Sequence, residues 1–169
     1  MDDICHIALL VAFAVILDMP FLKFKIGSNG GSISFSMLPL LIIALKKGPF
    51  KSFIGIGIIY STITCLTDGS PLYAFPFDYL LGYGSLCLVG FVPIIHQNIS
   101  KKYYLLIIFL TIFSIVLRLL FSTVSGILFY HLKFIPSLAY NAVYILPSGG
   151  ISIVLLLILI KPINRIIKN

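Results

Sequence analysis

The chain has 169 residues, of which 60% are hydrophobic and only 10% are charged, and its mean hydropathy is +1.14. A water-soluble domain of this size needs a polar exterior that so few charged residues cannot supply, so the composition excludes a soluble globular fold. The formal net charge of +7 is interpreted as a signal of membrane topology, and no nucleic-acid partner is expected.

Length and periodicity together predict the architecture. A spanning helix takes about 20 residues, so the chain has room for about six helices and no appended globular domain. The apolar runs are nearly continuous rather than alternating, which favours helices over a membrane β-barrel. We therefore predict an all-α integral membrane protein, a six-transmembrane-helix bundle that forms one domain over residues 1–169. The expected spans are residues 4–24, 33–45, 50–66, 75–95, 103–130 and 137–160.

The first apolar run leads into a glycine-rich segment. Pro20 is expected to distort the end of the first helix. Asp18, the one acid of the run, is interpreted as a helix-end group that caps the helix or reaches the interface, with a ligand role as the alternative. Residues 25–32 have the composition of a turn or a flexible segment, which suits a lid over a site and a simple connector equally.

Small residues recur in the first predicted helix. Ala8 and Ala12 stand four residues apart among bulkier side chains. Small residues at this spacing let another helix approach closely, so they are a candidate contact with a partner subunit. Packing within the protein's own bundle explains the spacing equally well.

Basic residues are distributed unevenly between the two sets of loops that six spans would create. One side carries Lys46, Lys47, Lys51, Lys101, Lys102, Lys161, Arg165 and Lys168, and the other carries Lys23, Lys25 and Lys133. Cytoplasmic loops are enriched in Lys and Arg, so the first side and both termini are predicted to lie in the cytoplasm.

Polar side chains occur inside the last three predicted spans. Asp78, Arg118 and Asn141 fall in the outer halves of spans four, five and six. Since a charge in hydrocarbon costs at least about 2.5 kcal/mol, these groups are expected to face the bundle interior. Hydroxyl and aromatic residues lie near them in the sequence, namely Tyr79, Tyr83, Ser122, Tyr140 and Tyr144. We predict a polar pocket in which tyrosines stack on a flat ring and the carboxylate faces a cation, with a register-fixing Asp78–Arg118 ion pair as the alternative.

Motifs of catalysis are missing from the sequence. There is no phosphate-binding loop, no histidine–glutamate zinc motif and no nucleophile elbow, so no enzyme activity, metal site or cofactor is expected. Uptake against a gradient would therefore depend on a partner or on an ion gradient. The single small bundle lacks the repeated halves of many autonomous transporters, which favours a partner-driven design.

Four segments carry a resemblance to a known family. They are GGSISFSMLP at 30–39 with ALKKG at 44–48, DYLL at 78–81 with Gly90, RLLFSTVSG at 118–126, and YNAVYILP at 140–147. In this order they resemble the second, fourth, fifth and sixth helix regions of the thiamine-specific S-components, the substrate-binding membrane subunits of energy-coupling-factor (ECF) transporters. The likeness spans most of the chain.

The resemblance implies a fold, a ligand and partners. The fold would be a six-helix S-component of the bacterial cytoplasmic membrane, with thiamine bound near the outer face beneath the loop between helices one and two. Ala8 and Ala12 would contact a transmembrane coupling subunit that two cytoplasmic ATPases drive, and toppling of the loaded bundle would release the vitamin inside. A thiamine precursor, another vitamin, and a stand-alone facilitator remain as alternatives.

Individual site roles also follow from the resemblance. Asp78 would face the cationic thiamine, Tyr79 would line the ring site, and Asn141 would hydrogen-bond the ligand, while Arg118 occupies the family's basic position. Ser122 departs from the pattern, because the family usually places a histidine there, and Ser148 stands where many relatives are expected to have an acid.

Overall fold

The computed structural model describes residues 2–26, 31–92 and 101–168. These residues form an all-helical membrane protein that carries one short β-hairpin. The helical segments pack side by side, and the hairpin crosses one end of the bundle, where it contacts the last helix.

Helix α1 runs from Asp2 to Leu17 and is shorter than the predicted span 4–24. Turns occupy residues 18–23, because the residue before Pro20 is disfavoured in the helical conformation. At about 1.5 Å per residue, α1 is about 24 Å long, which is less than the hydrocarbon thickness of a bilayer.

The hairpin follows α1 directly. Strand β1 (Phe24–Ile26) pairs antiparallel with β2 (Gly31–Ile33), so that Phe24 lies opposite Ile33. Ile33, the predicted start of the second span, therefore belongs to a strand. Residues 27–30 of the glycine-rich segment lie outside the described residues.

The next helical segment, residues 37–68, contains both the second and the third predicted span. It comprises α2 (Met37–Phe53), a π-helical stretch (Ile54–Tyr60) and α3 (Ser61–Asp68). Gly48 interrupts α2 with φ 78°, in the left-handed region that glycine adopts without strain, and Pro49 follows it. The break separates the spans predicted at 33–45 and 50–66.

The fourth segment, residues 72–91, is an irregular helix that we call the composite helix. It consists of a 3₁₀ turn (Leu72–Ala74), a π-helical stretch (Phe75–Leu81), α4 (Gly82–Gly84) and a 3₁₀ stretch (Ser85–Phe91). The predicted span 75–95 overlaps it, although residues 93–95 lie outside the described part.

Two long helices complete the bundle. Helix α5 (Lys101–Tyr130) and helix α6 (Phe134–Lys168) pack against each other and include the spans predicted at 103–130 and 137–160.

Among the described residues, fewer helices reach spanning length than the six predicted. Four helices of the described residues are long and apolar enough to span a bilayer, namely 37–68, 72–91, 102–130 and 134–160. The predicted count of six is not confirmed, because α1 is short and residues 37–68 form one helical segment with an internal break. The chain is a multi-pass membrane protein.

Close packing between α2 and the composite helix holds the centre of the bundle together. Gly90 lies against the break in α2: a Cβ atom there would stand 2.6 Å from the Ala44 carbonyl oxygen, 2.7 Å from the Gly48 carbonyl carbon and 2.8 Å from the Pro49 nitrogen. All three atoms belong to the backbone and cannot turn away, so this contact requires glycine.

We expect Gly90→Ala to destabilise the protein by about 1–3 kcal/mol, because the added methyl group forces two backbone segments apart. Thermal unfolding in detergent would measure the change. Gly150→Ala in α6 is the matched control, since a Cβ atom at Gly150 meets nothing within 4 Å. Equal melting temperatures for the two variants would contradict the packing argument.

Candidate functional site

A cavity of about 850 Å³ opens at one end of the bundle. This volume lies in the range typical of small-molecule binding sites. Its wall draws on the end of α1, the hairpin, the turn after α3, the composite helix, α5 and α6. The seven residues predicted to bind a ligand all line it, namely Asp78, Tyr79, Arg118, Ser122, Tyr140, Asn141 and Tyr144. Their roles in binding stay predictions.

The opposite end of the bundle carries a different charged group. The Asp3 carboxylate accepts bonds of 2.5 Å from both Lys47 and Lys51. These ion pairs join the start of α1 to the region of the break in α2. Asp18, at the other end of α1, lines the cavity, so the cavity and the Asp3 cluster lie at opposite ends of the same helix.

Asp78 and Tyr79 are presented by the π-helical stretch of the composite helix. The Ser61 hydroxyl lies 2.9 Å from the carbonyl oxygens of both Ile56 and Tyr79, and it thereby links the two π-helical stretches of the protein. Single π-helical turns leave backbone carbonyls without regular partners and are frequent at functional sites. The Asp78 carboxylate accepts a hydrogen bond of 2.6 Å from Ser125 on α5, which holds it against the cavity wall.

Arg118 is buried in the wall and stacks on a tyrosine. Its guanidinium carbon is 3.8 Å from the centroid of the Tyr83 ring, a cation–π contact. Only 8% of Arg118 is exposed. Its Nε–H group has no hydrogen-bond acceptor in the described part of the chain. The expected alternative of an Asp78–Arg118 ion pair is not observed among residues 2–26, 31–92 and 101–168.

The tyrosines of α6 connect the cavity to the hairpin. The Gly31 N–H donates to the Tyr140 hydroxyl at 2.9 Å, and the Ser34 N–H donates to the Ser148 hydroxyl at 3.2 Å. A Cβ atom at Gly31 would stand 2.6 Å from the Tyr144 ring, so only glycine permits β2 to lie this close to α6. The hairpin therefore covers part of the cavity.

Asn141 and Ser122 occupy the wall beneath the hairpin. Asn141 donates to the Ser137 carbonyl at 2.9 Å and accepts a hydrogen bond from the Tyr144 hydroxyl, which fixes its amide orientation. Ser122 is buried and lines the cavity from α5. Its short side chain leaves space where the family resemblance implies a histidine ring.

A polar network at the cavity mouth was missed by the sequence reasoning. The Lys23 ammonium lies 2.6 Å from the Asp68 carboxylate, which also accepts a bond of 3.2 Å from the Tyr79 hydroxyl. The hydroxyls of Ser70 and Tyr79 are 2.6 Å apart. The sequence analysis treats Lys23 only as a loop charge, and the contact of Lys23 with Asp68 joins residues 45 positions apart in the chain.

The sequence predicts Asp18 mainly as a helix-end group, with a ligand role as the alternative; in the structure only 8% of it is exposed and it lines the cavity. The Tyr60 hydroxyl donates to its carboxylate at 3.3 Å. Ala8 and Ala12, in contrast, lie on the outward face of α1, away from the cavity. Among the described residues, no group of three or more His, Cys, Asp or Glu side chains is placed to hold a metal ion.

Comparison with known proteins identifies the family of the chain. The chain matches the family described as thiamine transporter protein (Thia_YuaJ) over residues 4–168. It is 27% identical over 180 residues to the thiamine transporter ThiT of Bacillus subtilis (strain 168), covering 97% of this chain and 93% of that protein.

The fold is also shared with a solved structure. Superposition on ThiT from Listeria monocytogenes has a TM-score of 0.75 at 21% sequence identity, and it covers 95% of this chain and 93% of that one. The family resemblance drawn from the sequence motifs is confirmed, and the chain belongs to the thiamine transporter protein family.

Proposed function

We propose that this chain binds thiamine in the cavity and acts as the thiamine-binding S-component of an ECF transporter, with residues 1–169 forming one membrane domain. The observation that carries the proposal is the charge of the cavity wall. Among the described lining residues, Asp18, Asp68 and Asp78 are acidic and Lys23 and Arg118 are basic, which leaves a net charge of −1. Thiamine carries one fixed positive charge on its thiazolium ring, so the two are complementary.

The aromatic surface of the cavity supports the same ligand. Tyr79, Tyr83, Tyr130, Tyr140 and Tyr144 line it. Thiamine consists of two flat heteroaromatic rings, and tyrosine faces stack on such rings and on cationic ones. The rings of Tyr140 and Tyr144 meet edge to face in the cavity wall, with centroids 5.7 Å apart.

Asp78→Asn is expected to weaken thiamine binding about 10- to 100-fold, because it removes the carboxylate assigned to the thiazolium while preserving side-chain shape. Quenching of intrinsic tyrosine fluorescence in detergent would measure the affinity, since the chain contains no tryptophan.

The control for Asp78→Asn is Asp3→Asn. It removes the same charge at the opposite end of the bundle and should leave the affinity unchanged. If the folded wild type binds a thiamine precursor or another vitamin but not thiamine itself, the ligand assignment is wrong.

The outward face of α1 supports a contact with a partner subunit. Ala8 and Ala12 are exposed, and so are Leu9 and Phe13 beside them, at 69% and 47%, whereas Ala14 is buried against the bundle. Internal packing therefore does not account for the two small residues. We propose that they admit a helix of the transmembrane coupling subunit, and that two ATPases supply the energy, because the sequence of this chain carries no phosphate-binding loop.

Ala8→Trp and Ala12→Trp are expected to abolish co-purification with a coexpressed coupling subunit and its ATPases, because an indole at either position blocks close helix approach. Thiamine binding by the isolated chain should persist. Val116→Trp places the same side chain on the exposed surface of α5, where 43% of Val116 is exposed, and should assemble normally. Normal assembly of both alanine variants would contradict the proposed coupling surface.

We infer the orientation in the membrane from the charged groups at the two ends of the bundle. The Asp3–Lys47–Lys51 cluster marks the lysine-rich side, which the distribution of basic residues assigns to the cytoplasm. Helix α6 begins at the cavity and runs 35 residues, so its end returns to the side of the N-terminus. The cavity would then open to the exterior.

This orientation predicts which introduced cysteines react with a membrane-impermeant maleimide in a Cys5→Ala background. We expect Thr67→Cys, at the cavity mouth, to react in intact cells. Lys51→Cys should react only after lysis. The reverse pattern would show that the proposed orientation is wrong.

A further inference from the structure

Residues 18–24, which join α1 to the hairpin and which we call the connecting segment, expose apolar side chains and bury charged ones. The charged residues, Asp18 and Lys23, are both buried, and Lys23 pairs with Asp68 at 2.6 Å. A loop in water has the reverse arrangement, because water solvates charges and not large apolar groups. The exposed side chains here are all apolar and large, namely Met19, Phe21, Leu22 and Phe24, with Phe21 and Phe24 at 75% and 70%.

The backbone of the connecting segment satisfies several of its own donors. The N–H groups of Asp18 and Met19 bond to carbonyl groups of α1 at 3.1 Å. Those of Leu22 and Lys23 bond to the Met19 carbonyl at 2.9 and 3.1 Å. Pro20 has no N–H group at all. Donors that are bonded within the protein need no water, so this backbone can lie against lipid at little cost.

The length of α1 leaves a part of the lipid-facing surface for the connecting segment to complete. Phe13 and Ile16, near the end of α1, are exposed at 47% and 46%. The helix is about 24 Å long, whereas the hydrocarbon core of a bilayer is about 30 Å thick. Asp3 and its lysine partners at the start of α1 are too costly to place in hydrocarbon. The missing length therefore falls at the Leu17 end, where the connecting segment begins.

A tyrosine at the same end of the bundle indicates the depth. Tyr73 is 55% exposed, and its ring packs on Phe129 with centroids 5.3 Å apart. It comes two residues after Pro71, which lines the cavity. Tyrosine rings collect at membrane–water interfaces, and irregular backbone is excluded from lipid-exposed positions inside the hydrocarbon. Both observations place the connecting segment at the boundary of the hydrocarbon rather than deeper.

We propose that the connecting segment is a lipid contact, which inserts its exposed apolar side chains between acyl chains and headgroups in the leaflet on the cavity side. Its partner is the apolar part of the lipid, and no headgroup charge is required because the charged residues of the segment are buried. This contact and the Lys23–Asp68 ion pair hold the start of the hairpin from opposite sides. The inference concerns the membrane and does not depend on which ligand the cavity binds.

Single tryptophans test the proposal, because the chain contains none of its own. Phe21→Trp and Phe24→Trp each place one indole on the connecting segment of the full chain, which is reconstituted alone into phosphatidylcholine vesicles. We expect lipids brominated near the start of the acyl chains to quench both indoles more strongly than lipids brominated near the chain ends. Acrylamide in the aqueous phase should quench them weakly, since lipid shields an indole at the interface.

Val116→Trp and Thr67→Trp are the matched controls. Val116 is exposed near the middle of α5, so its indole should be quenched more strongly by bromine near the chain ends. Thr67 is exposed at the cavity mouth, so its indole should respond to acrylamide and not to brominated lipid. The two controls calibrate the deep hydrocarbon and the aqueous phase in the same protein.

Two reporters are used so that a folding defect in one, detected by thermal unfolding, leaves the other to decide. Two results would overturn the inference. Acrylamide quenching of the Phe21→Trp and Phe24→Trp proteins as strong as that of Thr67→Trp would place the connecting segment in water. Protection of both indoles from acrylamide and from brominated lipid alike would show that a second copy of the chain covers the segment, since the vesicles contain no other protein.

Discussion

Hydrocarbon can neither solvate a charge nor hydrogen-bond a backbone group, and the organisation of this protein follows from that constraint. Asp18, Asp78 and Arg118 are placed in one internal cavity rather than towards lipid. Part of the irregular backbone lies in the same region. The hairpin and the π-helical stretch of the composite helix both contribute to the cavity wall, where a ligand and the protein's own side chains can satisfy groups that lipid would leave unpaired.

Interruptions in the helices shape the cavity as much as the regular helical turns do. The π-helical stretch places Asp78 and Tyr79 in the cavity wall, and the Ser61 hydroxyl links the Tyr79 carbonyl group to the preceding helical segment. At the other end of the packing interface, the break at Gly48 admits Gly90 and brings the composite helix close to α2. Small residues and hydroxyls thus add close contacts to a core of buried apolar side chains, and such contacts matter because apolar burial drives no association between helices in lipid.

Polar residues inside the apolar runs allowed much of the site to be predicted from the sequence. Charges and amides inside apolar runs are costly, so Asp78, Arg118 and Asn141 could be assigned to the interior from the sequence, and all three line the cavity. Their pairing was not predictable, because it depends on which helix faces are neighbours. The alternative of an Asp78–Arg118 ion pair is not observed within the described residues, where Ser125 donates a hydrogen bond to the acid and the Tyr83 ring stacks on the base.

The amino-acid sequence by itself determined the all-helical membrane class and the polar residues of the last three predicted spans, because composition and hydropathy reflect the solvent around each segment. Its four motifs determined the family. Only the tertiary structure decided that α1 ends at Leu17, that residues 24–33 contain a hairpin, and that Lys23 meets Asp68 across 45 residues of chain. It also decided that Asp18 belongs to the cavity while Ala8 and Ala12 face outward. These features depend on helix rotation and on contacts between distant segments, which the pattern of residues along one chain does not specify.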